Sequence, residues 1–107
     1  MKKVKNPKVG QLVEVPTYCF APMRHGWNGW LFNIGVIEDI YTGKTGKRCA
    51  TVRYNNHGSE STKGFVLDNV FQYEFLDMQQ KFVDENKDAK SFGHEIEFMI
   101  RNGFIHR

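Results

Sequence analysis

Short segments in which apolar and polar residues alternate fill most of this chain of 107 residues, and turn-forming residues separate them. Alternation with a period of two is typical of strands that bury one face. From residue 75 the apolar spacing changes to three and four, which predicts one amphipathic helix over Phe75 to Val83 and a second from Ser91 onward. The order of these patterns predicts an α+β fold in which the strands come first. We expect the strands over residues 11–15, 33–41, 47–54, 63–66 and 70–73.

Particular residues set the expected limits of these strands. Pro16 should end the first one, because proline cannot donate into a sheet ladder. Gly35 predicts a bulge or a bend, and the glycines of 42–46 (TGKTG) suit a hairpin connection. Residues 55–61 (NNHGSES) are polar throughout and read as a turn. In the middle strand we expect Ala50, Val52 and Tyr54 to face the core.

The segments VGQLVEV, IGVIEDI, CATVRY and GFVLDNVFQY follow one another in an order that resembles the Src-homology-3-like (SH3-like) small barrels, including Tudor and KOW-type modules. The resemblance covers residues 9–73 and implies a five-stranded small β-barrel with one helical turn, Leu67 to Asn69, before the last strand. The long aromatic first loop and the two C-terminal helices depart from a minimal barrel. Such barrels bind RNA, DNA, proline-rich peptides or methylated side chains, so the resemblance leaves the ligand open.

Length and composition favour one domain. At 107 residues, with 40% hydrophobic and 25% charged residues, the chain can build one core. We divide it into a basic N-terminal arm at 1–8, which we expect to fray, the barrel at 9–74, and a helical extension at 75–107 packed on the barrel. The two cysteines lie far apart, and no run has the length of a membrane span, so we expect a reduced, cytoplasmic protein without membrane contact.

Charge is distributed unevenly along the chain. Residues 1–66 carry ten Lys or Arg against four acids, whereas residues 67–107 carry five against eight. A basic first part can attract phosphates or an acidic protein, and an acidic second part can orient the encounter. The alternative is that both parts are only solvated surface.

Large aromatic side chains are concentrated in the segment from Pro16 to Phe32, which also holds a basic residue and a histidine. Rings on a loop can stack on bases or anchor a protein, and they could form a cage for a cation, although the segment contains no acid. The rings could instead fold under the loop and close the barrel. We take as candidate binding residues Arg24, His25, Trp27 and Trp30.

A second basic group is predicted around the middle hairpin. Its members are Lys44, Lys47, Arg48 and Arg53. On a hairpin they could follow a phosphate backbone. The alternative is that they only keep the hairpin soluble and discourage edge pairing.

Catalytic and metal-binding motifs are not evident in the sequence. His94 and Glu95 begin as in a zinc-protease helix, but Phe98 stands where the second ligand is needed. Cys19, with His25 six residues away, lacks a carboxylate to orient the imidazole. We expect no enzyme, no metal and no cofactor.

The sequence therefore predicts a non-catalytic binding module. The first hypothesis is a nucleic-acid-binding module that uses the aromatic segment and the basic hairpin. The alternative is a small protein-interaction factor or inhibitor, of the kind that mobile elements encode, whose aromatic loop docks on a larger protein. The oligomeric state stays open.

Overall fold

The computed structural model describes residues 1–19 and 30–107, with the side chains of Tyr18, Cys19 and Trp30 excepted. Strands and helices follow one another as the periodicity predicts. In order, the elements of the described residues are β1 (Leu12–Cys19), β2 (Trp30–Thr42), β3 (Arg48–Asn56), β4 (Ser59–Val66), a 3₁₀ turn (Leu67–Asn69), β5 (Phe71–Gln72), α1 (Leu76–Glu85) and α2 (His94–Arg101). The predicted α+β class, five antiparallel strands followed by two C-terminal helices, is confirmed for the described part of the chain.

The strands form one antiparallel sheet in the order β4-β3-β2-β1-β5. Consecutive strands pair from β1 to β4, whereas β5 returns to pair with β1, where Glu14 lies opposite Phe71. Side chains from one face of β1, β2, β3 and β4 meet Val70, beside β5, in a single apolar cluster. The sheet therefore curls around its own interior, which is consistent with a small β-barrel-like fold.

Two apolar clusters lie on opposite faces of the sheet. The inner cluster includes Ala50 and Val52, both fully buried as predicted, with Tyr54 packed against it. The outer cluster joins the other face of β1 and β2 to the helices. Its buried members are Leu12, Ile34, Val36, Val83, Phe98, Met99 and Ile105. Strands β1 and β2 are thus apolar on both faces, because one face lines the interior and the other receives the helices.

Three predicted strand limits are wrong by three residues or more, and one of them is the start of β2, which lies at Trp30 instead of residue 33. Strand β1 continues through Pro16, which lies opposite Phe32, and the register shifts between Pro16 and Tyr18. A bulge is a place where a missing N–H does not break the ladder. Strand β4 begins at Ser59, well before residue 63, because a tight turn at His57 and Gly58, both with positive φ, lets the polar residues pair across β3 and β4.

The irregularity in β2 lies at Glu38, where the register passes from Ile37 opposite Val52 to Asp39 opposite Thr51. Gly35 marks a close approach of two strands instead of the bulge. A Cβ atom there would lie 2.5 Å from a methyl carbon of Val52. The expected bend is thus three residues further along the strand.

The N-terminal arm was expected to fray, but it is hydrogen-bonded to β5 and the residue before it. The Val4 N–H donates to the Val70 carbonyl at 2.8 Å, and the Gln72 N–H donates to the Lys2 carbonyl at 2.9 Å. Val4 also packs against the inner cluster. The basic arm therefore extends the sheet beyond β5. In the described part of the chain, no helix is both long enough and apolar enough to span a membrane.

Candidate binding surface around the 3₁₀ turn

The 3₁₀ turn Leu67–Asn69 is the centre of the candidate surface. The Val70 N–H donates to the Leu67 carbonyl at 3.0 Å, and Val70 itself is fully buried in the inner cluster. Leu67 packs against the same cluster, whereas Asp68 and Asn69 are exposed. The turn is thus held at both ends by the core and presents its polar residues to solvent.

A basic depression lies on one side of the turn. Its walls are Lys47 and Arg48 at the start of β3, and Val66, Leu67 and Asp68 around the turn. The volume of this depression is about 190 Å³. Both basic side chains are exposed. The positive charges predicted on the middle hairpin therefore stand directly beside the 3₁₀ turn.

The β2–β3 hairpin holds its basic residues in place through its own backbone. The Gly43 N–H donates to the Lys47 carbonyl at 2.7 Å, and the Gly46 N–H donates to the Gly43 carbonyl at 3.0 Å. Gly46 has φ of 83°, a conformation that glycine adopts without strain. Lys44 is exposed on this turn. The hairpin connection predicted for TGKTG thus carries Lys44 beside Lys47.

A further lysine reaches the turn from the N-terminal arm. The Lys3 ammonium lies 3.6 Å from an Asp68 carboxylate oxygen, and both side chains are more than half exposed. Exposed pairs of this kind contribute about 0–1 kcal/mol, so the contact is easily exchanged for another anion. Asp68 is the acidic residue among those that line the basic depression.

An apolar depression also borders the turn. Pro16, Phe32, Asn69 and Phe71 enclose a volume of about 230 Å³. The rings of Phe32 and Phe71 meet edge to face, with centroids 5.7 Å apart. The 3₁₀ turn is only three residues long and rises about 2 Å per residue. Leu67 and Asp68 line the basic depression, and Asn69 lines the apolar one. Positive charge and aromatic surface are therefore neighbours.

The aromatic segment of the sequence starts close to this apolar depression. Thr17 Oγ1 donates to the Leu31 carbonyl at 3.3 Å, and Asn33 Nδ2 donates to Thr17 Oγ1 at 2.7 Å. These bonds keep β1 and β2 together up to the pair of Cys19 and Trp30. Arg24, His25 and Trp27 lie outside the described residues. Trp30 is the first residue of β2, and its side chain also lies outside the described part.

Arg53 is placed away from the other predicted basic residues. It follows Arg48 by five positions on β3, about 17 Å along an extended strand. Its guanidinium donates to Glu38 at 2.5 Å, to Glu60 at 2.7 Å and to the Asn102 side chain at 2.9 Å. The hydrogen bond with Glu38 raises the pKa of Arg53 above its ordinary value. The structure therefore brings together Lys44, Lys47 and Arg48, but not Arg53.

Some residues of the surface were missed by the sequence. Lys3 belonged to an arm that was expected to fray, and Phe71 was read only as part of a strand. The pairing of β5 with β1 brings Phe71 beside β1, and no short pattern in the sequence records that pairing. Nothing in the sequence relates Lys3 to Asp68.

An acidic region adjoins the surface on the helix side of the sheet. Burial raises the pKa of Glu14, and the charges of Glu95 and Glu74 raise it further. Burial also raises the pKa of Glu95. Tyr73 lies in the same region, where burial and then Glu95 raise its pKa to about 12. We call Glu14, Glu74 and Glu95, whose charges act on one another, the acidic region.

Among the side chains that the structure describes, no group of three or more His, Cys, Asp or Glu residues is arranged to hold a metal ion. The chain matches no protein-family model, and no significantly similar protein is found among the curated proteins or the solved structures. The surface around the 3₁₀ turn is therefore interpreted from its own geometry and charge.

Proposed function

We propose that this protein is a non-catalytic nucleic-acid-binding module built on an SH3-like small barrel. One observation carries the proposal: a single 3₁₀ turn forms a wall of both the basic depression and the aromatic one. Phosphate groups are bound by exposed Lys and Arg, and bases are bound by aromatic faces and edges, so a ligand with both groups fits neighbouring depressions of these two kinds. The strand order and the turn before β5 support the SH3-like relationship.

In this proposal, Lys44, Lys47 and Arg48 contact phosphates, and Lys3 joins them when the ligand displaces its exposed contact with Asp68. The apolar depression next to them receives an unpaired base. Stacking of one base on an aromatic ring is worth about 1–3 kcal/mol. We propose that Arg24, His25, Trp27 and Trp30 extend this surface, since their segment joins β1 to β2 beyond the pair of Pro16 and Phe32.

The test is a salt titration of binding to single-stranded, duplex and structured nucleic acids. For single strands the slope of log K against log salt is about −0.7 for each phosphate neutralised. Replacing Lys47 and Arg48 together by alanine should make this slope shallower by about 1.4, the value for two phosphates. Lys87→Ala, a change of one exposed lysine after α1, is the matched control and should leave the slope unchanged. Absence of binding at every salt concentration would remove the proposal.

Aromatic contacts should respond differently to salt. Trp30→Ala is expected to weaken binding by a similar factor at low and at high salt, because stacking does not release counterions. Circular dichroism of the variant must match that of the unchanged protein before affinities are compared. A loss seen only at low salt would assign Trp30 an electrostatic role and contradict stacking.

A second candidate function is docking on a larger protein through the aromatic segment. The observation in its favour is the apolar lining that Pro16, Phe32 and Phe71 give to the depression beside that segment. Aromatic side chains in such positions dominate protein interfaces. This function predicts a stoichiometric complex that survives nuclease treatment, whereas the nucleic-acid function predicts that nuclease dissolves any complex.

We also propose a cytoplasmic location. Among the described side chains Cys49 is a buried free thiol, which suits a reducing compartment.

A further inference from the structure

Three large apolar side chains are exposed side by side at the start of α1 and along it, beginning with Phe75 immediately before the helix. Phe75, Met78 and Phe82 have exposed fractions of 50%, 58% and 47%. Their spacing of three and four residues places them on one side of the helix. Leu76 and Val83 lie on another side and pack against the outer cluster. The α1 stripe, as we call Phe75, Met78 and Phe82, is therefore additional to the face by which α1 holds the sheet.

Aromatic neighbours prolong the α1 stripe at both ends. The Phe75 ring meets the Tyr73 ring edge to face at 5.9 Å, and the Phe82 ring meets the Phe92 ring in the same way at 5.9 Å. Tyr73 and Phe92 are half-buried. The result is one continuous apolar band from the end of β5 to the segment before α2. Contiguous exposed apolar patches of this kind mark sites of protein contact.

Acidic side chains lie along one side of the α1 stripe and at its Tyr73 end. On one side Asp77 and Glu85 are exposed on the same helix, and Lys81 lies 3.9 Å from Glu85 as an exposed pair. At the Tyr73 end stands the acidic region of Glu14, Glu74 and Glu95. The mutual repulsion in that region contributes to the raised pKa of Glu14. At the opposite end the Arg107 guanidinium lies 5.1 Å from the centre of the Phe92 ring. The Tyr73 end of the stripe and Asp77 thus carry the negative charge that a basic ligand would neutralise.

We propose that the α1 stripe is a docking site for a basic amphipathic segment of another protein. Apolar anchors of the segment would cover Met78 and Phe82, and its Lys or Arg side chains would lie against Asp77 and the acidic region. An amphipathic helix would pack its apolar anchors along the stripe, with charge complementarity selecting the partner. Self-association through the stripe is the competing arrangement, and the test below measures it.

The docking site uses none of the residues around the 3₁₀ turn. It is therefore independent of the proposed nucleic-acid binding, and either proposal can fail alone.

The test uses two synthetic helical peptides of equal length with leucines at i, i+3, i+4 and i+7. One carries lysines at the remaining positions and the other carries glutamates. Binding of each labelled peptide to the full chain is measured by fluorescence anisotropy at low and high salt. We expect the lysine peptide to bind at least about tenfold more tightly than the glutamate peptide, a difference of about 1.4 kcal/mol.

Variants separate docking from general attraction of charges. Met78→Ser should weaken binding of the lysine peptide by about tenfold, since loss of a central apolar anchor typically costs that much affinity. Asp77→Lys should weaken it mainly at low salt. Lys87→Ala is the control and should change nothing. In a further control, the leucine positions of the lysine peptide are scrambled at constant composition. The unchanged protein should bind this scrambled peptide no more tightly than the Met78→Ser variant does.

Three results would overturn the proposal. The first is equal affinity of the lysine and glutamate peptides. The second is an undiminished affinity in the Met78→Ser variant when its circular dichroism is unchanged. The third is self-association in analytical ultracentrifugation that Met78→Ser abolishes, because the stripe would then be covered by a second copy of the chain.

Discussion

Replacing Arg53 with alanine should destabilise the protein by about 2 kcal/mol. The guanidinium joins β3 to Glu38 on β2, to Glu60 on β4 and to Asn102 at the end of α2, and it lies 5.9 Å from the centre of the Phe98 ring. Its side chain is 28% exposed, and those of the two glutamates are 42% and 37% exposed. Solvent screens such pairs, so we assign about 0.5 kcal/mol to each. The bond to Asn102 and the contact with Phe98 add about 0.5 kcal/mol each.

Chemical denaturation in urea, followed by circular dichroism, measures this loss. A loss of about 2 kcal/mol corresponds to a fall in Tm of roughly 8 to 12 °C for a domain of this size. Arg53→Lys is the matched variant. It retains one positive charge but cannot donate to three partners at once, so it should lose about half as much. If Arg53→Ala lowered the free energy of unfolding by less than about 0.5 kcal/mol, the structural role that we assign to the Arg53 guanidinium would be refuted.

Three further changes test the core and the acidic region. Gly35→Ala should cost about 1–3 kcal/mol in urea denaturation, because the new Cβ atom would lie 2.5 Å from a methyl carbon of Val52 and force the strands apart. Phe98→Ala should cost about 3–5 kcal/mol in the same assay, since that ring is fully buried between α2 and the sheet. Glu14→Gln should raise Tm at neutral pH and change it little in acid.

The direction of the Glu14 effect follows from its raised pKa. The folded carboxyl holds its proton to a higher pH than the unfolded one, so this group's contribution to stability is complete below the unfolded pKa and is lost as pH rises through the folded pKa. Glutamine does not titrate and avoids that loss. A variant whose Tm gain is largest in acid would contradict this assignment.

Unchanged stability of Gly35→Ala would show that β2 and β3 can separate at no cost.

Local periodicity was sufficient to predict the order of the elements. Ala50 and Val52 alternate with polar neighbours, and both lie in the inner cluster as predicted. Strand limits were predicted less well. Pro16 lies inside β1, because the partner strand shifts its register there, and the polar start of β4 is paired through its backbone. Backbone pairing is available to any residue type at an edge, so composition does not reveal it.

The candidate surface was predictable only in part. Lys44, Lys47 and Arg48 share one turn of the chain, and the hairpin pattern alone predicts that they lie together. Arg53 is close to them in sequence, yet it faces α2, because the extended strand carries it away and turns it toward Asn102. Arg24, His25, Trp27 and Trp30 stay predictions, since their side chains lie outside the described residues.

The spacing of apolar residues along the chain determined which segments form strands and which form helices. Each of these elements repeats over a few residues, and the repeat is visible in the order of the side chains. The folded chain alone decided that β5 returns to β1 and that the depressions beside Arg48 and Phe71 share one short turn. These residues are far apart in sequence. Their meeting depends on the curvature of the whole sheet around its interior, and no short pattern records that curvature.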